Sequence, residues 1–242
     1  MNLMLLKKED FQNGAAVISG RRFVHAMEVL KIAERSGECK AGVVNGQVGR
    51  ARLLELDEKA RRMILQFEPL QDPPPPLPLE LVCAMQRPLT FRKIIHAAVT
   101  MGVKKIYFFH SRKVEKSYWS SPQVAPEAAM ADAMLALEQT VDTVLPEFYF
   151  YNKFKPFAED ILPGIVAGKR FLAAHPAGKS PCPVDLQEPA VLTVGPEGGF
   201  TDYETEVWQA AGAELVTMGP RILRSEVAVP ALIGRLYPGR GT

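Results

Sequence analysis

The chain has 242 residues, of which 47% are apolar, and a formal net charge of +2. This length and composition exclude a disordered protein and allow one large buried core or two modest ones. The apolar stretch at residues 1–6 is too short for a membrane span or a signal peptide, so we expect a cytoplasmic protein. The three cysteines stand far apart with no paired spacing, which predicts reduced thiols and no metal site.

The charge is unevenly distributed along the chain. Residues 1–70 carry 12 Lys and Arg against 9 Asp and Glu, whereas residues 71–242 carry 17 against 18. A weakly basic front permits an RNA partner, although a domain that bound RNA through phosphates alone would be far more basic. The charge therefore allows a nucleic-acid partner without demonstrating one.

The pattern of the first domain predicts a small β-barrel, and a proline-rich run marks the end of this domain. Asn45 and Gly46 stand between two apolar runs and favour a type I′ hairpin turn. Five prolines at residues 72–78 predict an extended linker, so the domains are expected at residues 1–71 and 79–242. The predicted elements of the first domain are strands at residues 3–6, 41–44, 47–54 and 62–67 and a helix at residues 25–32.

The second domain alternates strands with helices, which is the βαβ rhythm of a parallel sheet and predicts an α/β fold. Thr90 is expected to cap a helix that runs to Met101, and Thr201 with Glu204 has the spacing of a capping box. The predicted strands lie at residues 79–84, 105–109, 147–150, 170–174, 190–194 and 214–218, with helices at residues 90–101 and 127–140.

Two of these strands run into Gly-Pro loops. The first loop reads Gly-Pro-Glu-Gly-Gly-Phe at residues 195–200, and the second reads Gly-Pro-Arg at residues 219–221. Glycine lets the backbone approach a ligand closely, so the loops predict a small-molecule cradle, although tight strand exits would look the same. The spacing is neither that of a dinucleotide fold nor that of a phosphate-binding P-loop. After the second loop, Ser225 is expected to cap a helix that begins at Glu226.

The first loop, a following strand and the segment Met-Gly-Pro-Arg-Ile-Leu-Arg-Ser-Glu at residues 218–226 resemble the ribosomal RNA small subunit methyltransferase E (RsmE) family of the SPOUT superfamily. The likeness extends over nearly the whole chain, from the Arg-Arg-Phe-Val-His signature at residues 21–25 to the second loop. It implies a PUA-like barrel followed by a domain with a deep trefoil knot, which is an exception to unknotted topology. It also implies a homodimer.

The resemblance implies that the knot loops hold S-adenosylmethionine (SAM). His175 at the end of a strand fits a loop over this cofactor, although a packed or solvent-facing histidine fits equally well. The other residues that the family pattern assigns to cofactor binding are Gly195, Pro196, Glu197 and Gly198 on one side and Met218, Gly219, Ile222 and Leu223 on the other.

The reaction implied is methylation of N3 of one uridine in 16S rRNA of the small ribosomal subunit, in the decoding region. Arg224 is the candidate that stabilises negative charge on the base, since a guanidinium stays protonated. Glu226 is the candidate that orients Arg224 or accepts the proton. The expected RNA contacts of the first domain are Arg21, Arg22, His25 and Lys31.

Three features of the sequence allow other functions than methylation of 16S rRNA. Val141 and Asp142 stand where many family members have an arginine, and Val227 replaces a common threonine. Lys113, Lys116, Tyr118 and Trp119 mix cations with aromatics either as an RNA-binding loop or as an ordinary exposed loop. The alternatives are therefore a non-catalytic RNA-binding or ribosome-assembly factor on the same fold and a SPOUT methyltransferase that acts on another RNA.

Overall fold

The computed structural model describes residues 2–34 and 36–239. Within these residues, no helix combines the length and the apolar character needed to cross a membrane. The chain divides into two compact units. The first unit comprises Met1–Pro74 and Met134–Leu145, and the second comprises Pro75–Ala133 and Pro146–Thr242.

The first unit contains a six-stranded mixed sheet. Alternate residues of its strands, such as Met63 and Leu65, point into one buried core, as the twofold period of a strand requires. The strand order is β1-β4-β5-β6-β3-β2, in which only the β1–β4 pairing is parallel. The strands are β1 (Met4–Leu6), β2 (Phe11–Gln12), β3 (Ala15–Ser19), β4 (Glu38–Val43), β5 (Val48–Asp57) and β6 (Arg62–Gln71).

The turn between β4 and β5 differs from the predicted type I′ geometry. Asn45 has a positive φ of 55°, whereas Gly46 is not among the residues with positive φ. The Gly46 N–H donates to the carbonyl of Val43 at 2.8 Å, and the Asn45 side chain accepts from the backbone N–H of Leu145 at 2.8 Å. Asn45 therefore adopts the left-handed conformation alone, and its side chain has a partner 100 residues away.

The helix predicted at residues 25–32 begins earlier and ends sooner. Helix α1 (Gly20–Val24) follows Ser19, which is extended, and continues as a π-helical turn at His25–Val29. Phe23, Ala26 and Leu30 are buried on the side that faces the core of the first unit. The predicted start was wrong because the helix begins directly where strand β3 ends, at Ser19, and the Ser19 side chain makes no capping hydrogen bond.

The segment Met134–Leu145 belongs to the first unit, although the sequence prediction placed it in the second domain. Its backbone carbonyls accept hydrogen bonds from residues that flank strands β1 and β4. The Leu3 N–H donates to the Glu138 carbonyl at 2.6 Å, and the Asn45 N–H donates to the Thr143 carbonyl at 2.8 Å. These contacts join residues far apart in the chain, which local patterns do not reveal.

The second unit contains a seven-stranded parallel sheet of order β11-β13-β10-β12-β7-β8-β9. The central strands β7 and β12 are almost wholly buried, as expected for a parallel sheet covered on both faces. Four of the predicted strands, β7, β8, β10 and β12, have the predicted bounds. The strands are β7 (Leu79–Ala84), β8 (Lys105–Phe109), β9 (Glu147–Tyr151), β10 (Arg170–Ala174), β11 (Ser180–Pro181), β12 (Ala190–Val194) and β13 (Glu214–Thr217).

The helices begin near the predicted residues, and two caps differ. Arg87 rather than Thr90 is the N-cap of α2, because Pro88 is well suited to the first helical position. Arg224 rather than Ser225 is the N-cap of α8, so Ser225 is its first residue. The further helices are α2 (Pro88–Thr100), α3 (Lys116–Trp119), α4 (Pro126–Thr140), α5 (Phe154–Pro156), α6 (Leu162–Val166), α7 (Asp202–Ala210) and α8 (Ser225–Leu236).

Candidate active site

A cavity of about 290 Å³ lies where β10, β12 and β13 end. These strands are neighbours in the parallel sheet, so their carboxyl ends meet at one edge, which is where open α/β sheets bind ligands. The lining residues come from the last residues of the three strands, from the loops that follow them and from α8. They are Ala174, His175, Pro176, Val194, Gly195, Pro196, Glu197, Gly198, Gly199, Phe200, Val216, Thr217, Met218, Arg221, Ile222, Leu223, Ser225, Ala228 and Leu232.

The loop at residues 195–200, called here the first loop, is held at its start by two donors. The buried side-chain amide of Gln86 donates to the Gly195 carbonyl at 2.9 Å, and the Ser225 hydroxyl donates to the same oxygen at 3.4 Å. The Gly199 N–H closes a turn on the Pro196 carbonyl at 2.8 Å. The start of the loop is therefore fixed by residues of other elements, of which Gln86 lies behind the cavity wall and Ser225 belongs to it.

Glu197 attaches the first loop to the start of α2. One oxygen of its carboxylate accepts from the Arg87 backbone N–H at 3.2 Å and lies 3.9 Å from the Arg87 guanidinium. A carboxylate at a helix N-terminus is favoured by the helix dipole and by the free amides there. Glu197 thus has a structural partner as well as a place in the cavity wall.

Lys113, which follows β8, contacts the far end of the first loop. Its ammonium donates to the Gly198 carbonyl at 3.0 Å and to the Phe200 carbonyl at 3.1 Å. The Phe200 ring packs against the buried Trp208, with ring centroids 5.7 Å apart. The end of the loop is therefore held in two ways. The Phe200 ring packs in an aromatic core, and the Lys113 ammonium binds the carbonyls on either side of Gly199.

The helix after the first loop begins with the predicted capping box. The Thr201 hydroxyl accepts from the Glu204 N–H at 3.2 Å, and the Glu204 carboxylate accepts from the Thr201 N–H at 2.8 Å. The buried Glu204 also accepts from the Arg112 N–H at 2.9 Å. One carboxylate therefore caps α7 and fixes the segment that carries Lys113.

The second loop turns at Gly219, whose φ is +113°. This conformation is one that residues with a side chain rarely adopt, so glycine is required here. Met218, Ile222 and Leu223 line the cavity on either side of the turn, whereas Gly219 is not among the lining residues. All other residues predicted to bind the cofactor, His175 included, lie in the cavity wall.

The two candidate catalytic residues lie beside the cavity rather than in its wall. Arg224 is exposed, and in the part of the chain that the structure describes its guanidinium has no hydrogen-bond or ion-pair partner. Glu226 points to α2, where its carboxylate lies 3.8 Å from the Lys93 ammonium. The expectation that Glu226 orients Arg224 is not supported, because helix geometry directs Glu226 to the neighbouring helix.

Arg21 and His25 form a cluster with Glu138 inside the first unit. The Arg21 guanidinium binds both oxygens of the Glu138 carboxylate, at 2.6 and 3.2 Å, and half of the Arg21 side chain stays exposed. His25 is mostly buried, with Nδ1 3.9 Å from the same carboxylate. Burial lowers the pKa of His25, and Glu138 opposes this effect.

Arg22 and Lys31 differ in exposure, because Arg22 is paired with a buried carboxylate and Lys31 lies at the surface. Arg22 donates to the buried carboxylate of Asp10, with one distance of 2.6 Å, which supplies the partner that a buried charge requires. Lys31 is exposed and lies 3.5 Å from Glu34. Of the four residues predicted to contact RNA, Arg21 and Lys31 present cationic surface, whereas Arg22 and His25 take part in the packing of the first unit.

The three cysteines are unpaired thiols, and burial keeps two of them protonated. Burial raises the pKa of Cys83 to about 12 and that of Cys182 to about 11, so both stay protonated at neutral pH. Cys39, Cys83 and Cys182 are free. Within residues 2–34 and 36–239, no group of three His, Cys, Asp or Glu side chains is placed to hold a metal ion.

Sequence reasoning missed the residues that hold the first loop from outside. Gln86 was not singled out, although a glutamine that directly follows an apolar strand is a signal that could have found it. Lys113 was singled out only as part of an RNA-binding or exposed loop. Ser225 was expected to act as a helix cap, and its hydroxyl instead donates to Gly195.

Comparisons with known proteins identify the family. The sequence model of the RNA methyltransferase domain family matches residues 73–237. The ribosomal RNA small subunit methyltransferase E of Treponema pallidum (strain Nichols) is 31% identical over 239 residues, which covers 96% of this chain and 88% of the relative. The chain belongs to the ribosomal RNA small subunit methyltransferase E family. The resemblance predicted from the first loop and residues 218–226 is thereby confirmed.

Solved structures agree with the fold of this family. A Legionella pneumophila protein in complex with the cofactor SAM has a TM-score of 0.73 at 20% identity, covering 97% of this chain and 98% of that one. The ribosomal RNA small subunit methyltransferase E of Neisseria gonorrhoeae, bound to S-adenosyl methionine, has a TM-score of 0.69 at 19% identity, covering 96% and 95%. At these identities the likeness shows the fold alone, an α/β fold with a mixed sheet and a parallel sheet.

Proposed function

We propose that this protein transfers a methyl group from SAM to N3 of one uridine in the decoding region of 16S rRNA, within the small ribosomal subunit. Family membership supports the reaction class. The observation that carries the proposal is the cavity at the ends of β10, β12 and β13, where the first loop and residues 218–223 face each other. The 16S rRNA or the 30S subunit is the partner, and the cytoplasm is the compartment where the two would meet.

The residues around the cavity fit SAM. The volume of about 290 Å³ is that of a small-molecule site, and its walls combine apolar side chains such as Val194 and Leu232 with loop backbone. Gly199, with a φ of +69°, leaves open space where a side chain would stand. When bound, SAM supplies an electrophilic methyl group on sulfur. Residues 195–198 would hold one side of it and Met218, Ile222 and Leu223 the other.

We assign Arg224 to stabilising the negative charge that develops on the uracil ring of the substrate. Loss of the imide proton at N3 leaves negative charge on the uracil ring, and a guanidinium stabilises such charge through two parallel N–H donors. Arg224 stands between the lining residues Leu223 and Ser225, and its exposed guanidinium has no partner among the described residues, so it is available to a substrate at this cavity. The Glu226 carboxylate lies 3.8 Å from the Lys93 ammonium of α2, so we assign it to the packing of α8 on α2.

Three further parts of the proposal concern architecture. We assign the first unit to a PUA-like barrel that binds RNA, which its six-stranded mixed sheet and the exposed Arg21 and Lys31 support. A trefoil knot is supported by the position of β13, which follows β12 in the chain but lies between β10 and β11 in the sheet. A homodimer is supported by exposed apolar side chains near the cavity, among them Ile222, exposed by 80%, and Val227.

The test is methyl transfer to a defined substrate. Purified protein is incubated with labelled SAM and 30S subunits that lack the modification, and the labelled nucleotide is mapped. We expect label on N3 of a single uridine of the 16S rRNA. Bound SAM without any methyl transfer would instead favour the non-catalytic RNA-binding or assembly factor. Label on tRNA or on a 2′-hydroxyl would favour a different SPOUT activity.

A further inference from the structure

The Lys113 side chain lies against the first loop, with its ammonium and its aliphatic stem both near Gly198. Its ammonium donates to the carbonyls of Gly198 and Phe200, at 3.0 and 3.1 Å. Its aliphatic stem runs past Gly198 and occupies the space beside that residue, because a Cβ added to Gly198 would lie 3.2 Å from Cδ and 3.3 Å from Cβ of Lys113. The lysine therefore contacts the loop with both its charged end and its stem.

The part of the loop that Lys113 crosses has no side chains of its own to anchor it, although the Gly199 N–H closes a turn on the Pro196 carbonyl at 2.8 Å. The start is held by Gln86 on the Gly195 carbonyl, and the end is held by Phe200 in the aromatic core. Between them stand Gly198 and Gly199, and consecutive glycines have the largest conformational freedom to lose. The two bonds from Lys113 fall on either side of Gly199, whose φ is +69°.

We propose that Lys113 is a positioning residue for the cofactor, whose ammonium holds the first loop in the conformation that forms the cavity wall. This inference rests on the proposed function. The rival use of an exposed lysine here is a phosphate contact with RNA. The geometry favours positioning, because two of the three N–H donors of Lys113 are engaged by the loop. The aromatic neighbours are engaged too, since Trp119 donates to His110 at 2.8 Å and Tyr118 to Glu115 at 3.1 Å.

The sign of the effect separates positioning from simple electrostatics. The sulfonium group of SAM is a cation, so removal of the Lys113 charge alone would strengthen SAM binding slightly. Loss of the two loop contacts would weaken it instead. S-adenosylhomocysteine lacks the sulfonium charge, and a positioning effect should reduce its affinity by the same factor.

The experiment compares Lys113→Met with Lys116→Met in the absence of RNA. Both variants lose one exposed cation of the same segment, but among the described residues Lys116 makes no hydrogen bond or ion pair with the first loop. Calorimetry is expected to give about a tenfold rise in the Kd of both ligands for Lys113→Met and none for Lys116→Met. Amide hydrogen exchange in the ligand-free protein should become faster at residues 197–199 in Lys113→Met only.

Steady-state kinetics with 30S subunits complete the test. We expect Lys113→Met to raise the KM for SAM with little change in kcat or in the KM for RNA. Unchanged SAM affinity with a raised, salt-dependent KM for RNA would overturn the inference in favour of a phosphate contact. A wild-type protein that binds no SAM would overturn the proposed function and this inference together, whereas a SAM-binding wild type indistinguishable from Lys113→Met would overturn the inference alone.

Discussion

Gln86 donates its side-chain amide to the carbonyl oxygen of Gly195 at 2.9 Å, and no part of Gln86 is exposed to solvent. The same amide donates to the Ala84 carbonyl at 2.9 Å, so one nitrogen joins the end of β7 to the start of the first loop. A buried carbonyl that loses its donor is costly, because water cannot replace the missing bond. Gln86 therefore belongs to the candidate site even though it does not line the cavity.

Replacement of Gln86 by leucine should lower both stability and SAM affinity. The variant leaves the Gly195 carbonyl with only the longer bond from Ser225 and the Ala84 carbonyl with only the weak Cys83 thiol donor, which costs about 1–3 kcal/mol of unfolding free energy. Urea denaturation gives this value, and calorimetry gives the affinity. The control is Gln123→Leu at an exposed position, which should change neither. Wild-type stability in Gln86→Leu would show that the amide contributes nothing to the fold.

Replacement of Gly219 by alanine should strain the second loop. The φ of +113° is unfavourable for any residue with a Cβ, so we expect a loss of about 1–3 kcal/mol and weaker SAM binding. The matched control is Gly164→Ala in α6, where φ is not positive and the added methyl meets open space. That variant should be neutral or more stable by about 0.5–1 kcal/mol, as helix propensity requires. Equal thermal midpoints for the two variants would contradict the argument from φ.

Replacement of Arg224 by alanine should lower turnover without affecting SAM binding. Removal of one group that stabilises developing charge typically lowers kcat by about 100-fold or more. The measurements are single-turnover methylation of 30S subunits and the Kd of SAM for the same preparation. Lys155→Ala, which removes an exposed cation of α5, is the control and should leave both values unchanged. An Arg224→Ala variant that loses SAM affinity but keeps its rate would place Arg224 in the cofactor site.

His25 makes stability depend on pH in a defined direction. Burial lowers its pKa in the folded protein below the ordinary value of 6.5, so the unfolded chain binds the proton more readily. Unfolding free energy should therefore be highest above pH 6.5 and fall as the pH decreases toward the folded pKa. Denaturation at pH 7.5 and pH 5.5 measures this loss, and His25→Gln should reduce it. A variant that loses as much stability as the wild type would assign the dependence to other groups, such as His110, whose pKa burial also lowers.

Features encoded by neighbouring residues were predictable from the sequence. The capping box of Thr201 and Glu204 lies within four residues, and the apolar run of β12 identifies a buried strand by itself. The position of the cavity followed from the two Gly-Pro loops and the family pattern. Small errors arose where two local signals compete, as at α2, where Pro88 starts the helix before the better capping residue Thr90.

Contacts between distant residues could not be predicted in this way. Gln86 and Gly195 are separated by 109 residues, and Lys113 and Gly198 by 85. In the sequence, Gln86 is visible only as a polar residue after an apolar run, and Lys113 only as one cation among several. Their roles depend on which strands become neighbours in the sheet, and residue spacing does not determine that order.

The hydrogen bond between Arg21 and Glu138 also bears on the order of folding during synthesis. Glu138 is made 117 residues after Arg21, so the amino-terminal unit leaves the ribosome without the segment Met134–Leu145 that completes it. At about 5–20 residues per second, the early strands wait several seconds for that segment. The first unit can therefore close only after Leu145 has been made, and its nascent form keeps an unpaired Arg21 until more than half of the chain has been synthesised.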